Sequence, residues 1–179
     1  AEKGIEVYVS TTNANGSNKL DVECNDYLEK EVNVFVKYYN EQIISKLSLA
    51  FIFGIWSDIK ESDVVYIQYI FHYTSVLAFF YSWILGKKRV VCPRGCFDKW
   101  AMNYKMKWLK KIWVFCFILP FKKGVIWQAS SYLEEFDIKK KFPDSIVEII
   151  NDGVDFQAFQ GYQEISKIEL VNRYSDSSG

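Results

Sequence analysis

Three polar segments of this chain each follow an apolar run, so a single fold could gather their chemistry in one place. His72 comes just after the run at 64–70, Arg94, Gly95 and Asp98 come just after 90–92, and Asp152, Gly153 and Asp155 come just after 146–150. An imidazole in such a loop can hydrogen-bond hydroxyl groups. A guanidinium stiffened by Pro93 and followed by a glycine can hold a phosphate or paired hydroxyls in bidentate fashion. Arg94 cannot serve as a base, because a guanidinium stays protonated. Asp98 and Lys99 lie near enough in sequence to reach the same ligand. Plainer readings stand beside these. They are a histidine satisfied within its own loop, an Arg94–Asp98 ion pair, and a purely turn-shaping role for Asp152, Gly153 and Asp155. Ser131 and Glu134 have the spacing of a helix capping box, worth about 1 kcal/mol of helix stability.

The elements that would position these residues follow from periodicity. Residues 5–9 and 31–38 alternate as strands, with Val32, Val34 and Val36 on one face. Residues 41–56 carry apolar residues at the spacing of a mostly buried helix. Residues 64–85 form a stretch of 22 without Lys, Arg, Asp or Glu, against about 20 needed to cross a bilayer. Its first part is β-branched and aromatic, suiting a buried strand. His72, Tyr73, Thr74 and Ser75 then suit a strand-to-helix turn, so a strand followed by a buried helix is favoured over a span. Short strands are expected at 90–92, 125–127 and 145–150, with helices over 98–119, ending near Pro120, and from Ser131 to about Lys141. Continuous apolar strands alternating with helices predict an α/β fold, a Rossmann-like three-layer domain whose mainly parallel sheet is covered on both faces. Ligands in such sheets bind at the carboxyl ends of the strands. That rule selects 70–74, 93–97 and 151–155.

Composition narrows the function. Lys+Arg and Asp+Glu both number 22, which argues against a nucleic-acid binder. Four cysteines, Cys24, Cys92, Cys96 and Cys116, fit no disulfide framework. Cys92 and Cys96 with the lone His72 fall short of the four ligands zinc takes, so no metal site is expected and buried thiols in a reducing cytoplasm are the better reading. Within 105–111, Lys107, Lys110 and Lys111 share a helical face while Met106, Leu109 and Trp113 lie elsewhere. Such a helix suits peripheral contact with an anionic membrane surface, or more simply a solvated lysine face over a buried apolar one.

Three stretches resemble the N-terminal domain of the retaining family 4 of GT-B glycosyltransferases. Residues 86–95 (GKKRVVCPRG) are similar to its strand ending in a Pro-His-Gly or Pro-Arg-Gly loop. Residues 129–138 (ASSYLEEFDI) resemble its Ser-x-x-Glu helix start, and 149–155 (IINDGVD) its Ile-Pro-Asn-Gly-Val-Asp segment. The last departs from the pattern, with Asn151 in place of Pro and Asp152 in place of Asn. Residues 1–7 (AEKGIEV) are similar to a helix end followed by the second strand.

The resemblance implies a domain over 1–159, followed by the start of a linker or tail over 160–179. It implies that the family's first strand, Gly-rich loop and first helix would precede Ala1, and that its nucleotide-sugar domain would follow Asp155. The implied activity is hexosyl transfer from a nucleotide sugar to a saccharide or lipid-linked acceptor, as in polysaccharide or lipopolysaccharide assembly. This half would form the acceptor wall through His72, Arg94, Gly95 and Asp98, and would be inactive alone. No cofactor, metal or nucleic acid is implied, and the setting would be cytoplasmic, peripheral at the inner face of a membrane. The alternatives are a non-catalytic α/β binding module and a small membrane protein spanning at 64–85.

Overall fold

A computed structural model describes residues 4–16, 18–42, 47–151 and 153. The last turn of helix read over residues 1–4, the tail at 160–179, and Asp152 and Asp155 of the interdomain turn lie wholly or mostly outside them.

The run at 64–85 divides as its composition requires. β6 (Val64–Gln68) is a strand, His72 is an N-cap, and α2 (Tyr73–Ile84) is a helix. No helix among the described residues is long and apolar enough to cross a membrane. β6 pairs in parallel with β7 (Lys88–Cys92), β7 with β8 (Val125–Ala129), and β8 with β9 (Ile146–Ile149), giving the strand order β6-β7-β8-β9. The fold is therefore α/β, with a four-stranded parallel sheet flanked by helices, compatible with a Rossmann-like arrangement.

One expectation for this sheet is corrected. Its strands are consecutive in space, and right-handed crossovers between consecutive parallel strands put every connecting helix on the same face. Val65, Ile67, Val91, Val125, Trp127 and Ala129 are buried on that face, against Phe79 of α2 and Ile138 of α5 (Tyr132–Lys141). The opposite face carries the row Tyr66, Val90, Ile126 and Ile146. Ile126 is 38% exposed and Ile146 59%. Among the described residues no helix covers this row, so they form two layers where apolarity predicted three.

The N-terminal region forms its own three-stranded sheet. β1 (Val7–Thr12) runs parallel to β5 (Val34–Tyr39), while β4 (Tyr27–Glu31) is antiparallel to β5. The single strand expected over 31–38 is instead a hairpin, turning at Asn33 with φ 61°. Asn tolerates that left-handed conformation better than most residues. Two short strands, β2 (Ala14–Asn15) and β3 (Asn18–Lys19), make a separate hairpin.

The first helix, α1 (Leu49–Glu61), starts and ends later than the 41–56 pattern suggested. Ser48 sets the start by accepting from the Phe51 amide at 3.1 Å, while its hydroxyl donates to the Asn40 carbonyl at 2.6 Å. Asp58 joins α1 to the N-terminal sheet. Its carboxylate accepts from Ser10 at 2.7 Å, Lys37 at 3.0 Å and Tyr39 at 2.5 Å. Burial and this carboxylate push the Tyr39 phenol well above its ordinary range.

The helix expected over 98–119 is broken. α3 (Lys99–Asn103) and α4 (Lys107–Trp113) are separated by Lys105 at φ 30° and Met106 at φ 56°. A π-helical turn (Val114–Ile118) and a 3-10 turn (Leu119–Phe121) follow. Lys110 turns inward to the Ala101 and Tyr104 carbonyls, at 2.6 and 3.0 Å, so the expected three-lysine face does not form. At the amino end of β7, buried Arg89 donates to the Phe121 carbonyl at 2.7 Å and the Lys123 carbonyl at 2.5 Å.

Gly54 of α1 is fixed by packing. A Cβ there would lie 2.4 Å from the Tyr39 ring, which is buried and tied to Asp58 through its hydroxyl. Gly54→Ala is therefore expected to destabilise the fold by about 1–3 kcal/mol in urea unfolding, the overpacking outweighing alanine's helix advantage of about 1 kcal/mol. A rise in stability would show that the ring moves aside freely.

Candidate functional site

The parallel pairing of β6 and β7 brings the His72 and Arg94 segments to neighbouring places on one rim. After Gln68 the chain turns at Tyr69, with φ 62°, whose amide donates to the Cys92 carbonyl at 2.9 Å. His72 then caps α2 through its backbone conformation alone, with no cap bond from its side chain. Its Nδ1 lies 2.8 Å from the Thr74 hydroxyl, and its ring packs on Tyr73 at 4.8 Å.

Beyond Cys92, Pro93 is fully buried, and Arg94 (φ 55°) and Gly95 (φ 72°) take successive left-handed conformations. For Arg94 this costs about 1–2 kcal/mol, the kind of strain that persists only where surroundings impose it. Glu134 supplies the imposition. It is 6% exposed, and its carboxylate accepts from the Gly95 amide at 2.7 Å, the Ser130 amide at 2.8 Å and the Ser130 hydroxyl at 2.7 Å. A Cβ on Gly95 would meet nothing within 4 Å, so glycine is required there for its φ and not for space.

Burial raises the Glu134 pKa. The bonds from Gly95 and Ser130, with the Arg94 charge, more than offset that and leave it below its ordinary value of 4.5. The group is ionised at neutral pH and engaged by three donors, so it positions the loop and does not exchange protons. The capping box is half formed. Ser131 accepts from the Glu134 amide at 3.3 Å, but the Glu134 carboxylate reaches Ser130 and Gly95 where the pattern would send it to the Ser131 amide. Periodicity gives no sign of this role, because the partner amide lies 39 residues away.

Asp98 is a helix cap, its Oδ1 accepting from the Trp100 amide at 2.7 Å and the Ala101 amide at 3.2 Å. Beside it a shallow groove of about 580 Å³ is lined by Asp98, Lys99, Trp100, Asn103 and Tyr104. Trp100 and Tyr104 stack at 4.7 Å within it. Gly153 is exposed, and the chain leading to it is held to β8 by the Ile150 amide on the Ala129 carbonyl at 2.9 Å.

Cys92 and Cys96 are buried free thiols, and burial pushes Cys96 up to about 11, leaving it protonated at neutral pH. Among the described residues no three His, Cys, Asp or Glu side chains gather as a metal site would require.

The depressed pKa of Glu134 ties stability to pH. Its contribution is complete above the unfolded value near 4.5 and is lost as pH falls through the lower folded value. Glu134→Gln is expected to cost about 1–3 kcal/mol at pH 7 by denaturant titration. The gap from the parent should shrink as the pH drops below that range, and a gap that stays constant down to pH 3 would contradict the assignment.

Comparison of this chain with protein-family models, with curated proteins and with solved structures finds no match.

Proposed function

We propose that this chain is the acceptor-side half of a retaining, family 4-like GT-B glycosyltransferase, moving a sugar from a nucleotide donor to a saccharide or lipid-linked acceptor. One observation carries the reading. Two stretches that resemble the family separately, 86–95 and 129–138, meet where the buried Glu134 carboxylate accepts from the Gly95 amide at 2.7 Å and feels the Arg94 charge. The third stretch begins beside them, bonded to the end of β8.

The residues on that rim suit binding more than proton transfer. Arg94 keeps its charge, and Glu134 is locked as an anion by its three donors. His72, held between Thr74 and Tyr73, offers an imidazole to acceptor hydroxyls. The stacked Trp100 and Tyr104 present apolar ring faces beside polar groups, a composition suited to saccharides. In this reading the rim orients the acceptor, and orientation alone supplies a large part of the rate of a bimolecular transfer.

The test uses the intact gene product that contains these residues, supplied with labelled nucleotide sugars and with saccharide or lipid-extract acceptors. Transfer is expected, and Arg94→Ala and His72→Ala should each lower kcat/KM by about 10–100-fold while the protein still unfolds cooperatively on heating. Arg94→Lys should recover only part of the loss, because a lysine lacks the bidentate fork. Saccharide binding without turnover for any donor would replace this reading with that of a non-catalytic binding module.

A further inference from the structure

A surface helix normally turns one apolar stripe to the core and a polar face to water. The segment from α4 through the π-helical turn has two apolar stripes. Val114 and Ile118 are buried, and the Trp113 indole donates to the Ile70 carbonyl at 2.8 Å, so the inner stripe is used by the fold. The outer stripe comprises Trp108, Ile112 and Phe115, at helical spacing, and these are 78%, 48% and 68% exposed. Leu109, between them, is also exposed. The fold therefore presents a second, outward row of large apolar side chains.

The charge around this row is one-sided. From residue 99 to residue 133 the chain has seven lysines and no Asp or Glu, although the whole chain is neutral. Elsewhere fifteen Lys and Arg face all 22 acidic residues. Lys107 and Lys111 border one side of the outer row and are exposed, and among the described residues neither forms an ion pair with a carboxylate. Lys110 is excluded from this surface by its inward bonds to α3.

We propose that the outer face of α4 and the following π-helical turn docks on an anionic lipid bilayer, with Trp108, Ile112 and Phe115 entering the headgroup boundary and Lys107 and Lys111 meeting lipid phosphates. Aromatic and aliphatic side chains on one face, bordered by long cationic ones, match a bilayer interface. Exposed Lys107 and Lys111, without a carboxylate partner among the described residues, complement a negative surface. A nucleic acid would use the lysines and leave the apolar row unsatisfied, which is why lipid is the assigned partner. α4 also leans over the candidate site, through Trp113 on Ile70 and Lys110 above the Phe71 ring at 5.6 Å. The docking face thus adjoins the rim that carries His72 and Arg94. Docking of this face does not depend on sugar transfer at the rim.

The experiment is co-sedimentation of the chain with vesicles of phosphatidylcholine alone and of phosphatidylcholine with about one third phosphatidylglycerol, near 0.1 M salt, where surface charge is only partly screened. Partitioning into the anionic vesicles should be at least about tenfold stronger, and weaker at 0.5 M salt. Trp108→Glu with Phe115→Glu should lower it at least about tenfold while the unfolding midpoint is unchanged, since both residues are exposed. Should that variant fail to fold, Lys107→Glu with Lys111→Glu replaces it and should abolish the preference for anionic lipid. Equal recovery with both vesicle types, no recovery with either, or retention on duplex DNA or an acidic protein in place of vesicles would overturn the proposal. A Glu134→Gln control should bind vesicles as the parent does, which separates this surface from the candidate site.

Discussion

Glu134 is the group on which the arrangement of the rim depends. An ionised carboxylate withdrawn from water is tolerated only when charges or hydrogen bonds replace its hydration. Here three donors do so, one from the loop after β7 and two from Ser130 at the end of β8. Remove the carboxylate and the Gly95 amide is left without its acceptor while Arg94 remains in a strained conformation. Asp58 performs the same task in the N-terminal half, where Ser10, Lys37 and Tyr39 converge on it and fasten α1 to its sheet. In both halves one acid, engaged by three donors, joins a helix to groups distant in sequence: side chains of the N-terminal sheet for Asp58 and the Gly95 amide for Glu134.

Much of the fold was legible, and the reason is continuity of apolar residues. β6 to β9 are runs rich in Val and Ile bounded by polar turns, and α2 and α5 lie where spacing and capping residues put them. The hairpin of β4 and β5 escaped because Glu29, Lys30 and Glu31 dilute one strand, and the reversal rests on a single left-handed Asn33. The break between α3 and α4 escaped for a different reason. Neither Lys105 nor Met106 favours a positive φ, so tertiary contacts impose what local propensity opposes.

The candidate site was legible by position and not by role. His72, Arg94 and Gly95 were selected because they follow strands, and parallel pairing does bring them to one edge. Asp98, expected near the same ligand, caps α3 through its Oδ1, a role its position before a helix also allows. Glu134 was read as a cap and reaches across to another loop. Side-chain hydrogen bonds over such sequence separations have no periodic signature. The face of the sheet that carries Val90, Ile126 and Ile146 shows the same limit from another direction. Apolarity states that a surface prefers burial, and says nothing of which element provides it.

Arg89 adds an electrical consequence. It sits at the start of β7, with burial lowering its pKa although a guanidinium remains charged, and it binds carbonyls at the end of the 3-10 turn. Glu134 sits beyond the other end of the same strand, in the first turn of α5. Each charge occupies the end of a helical segment where the backbone dipoles favour its sign. The parallel strands therefore run from an interior cation to an interior anion, and the core is polarised along their length although the chain as a whole is neutral.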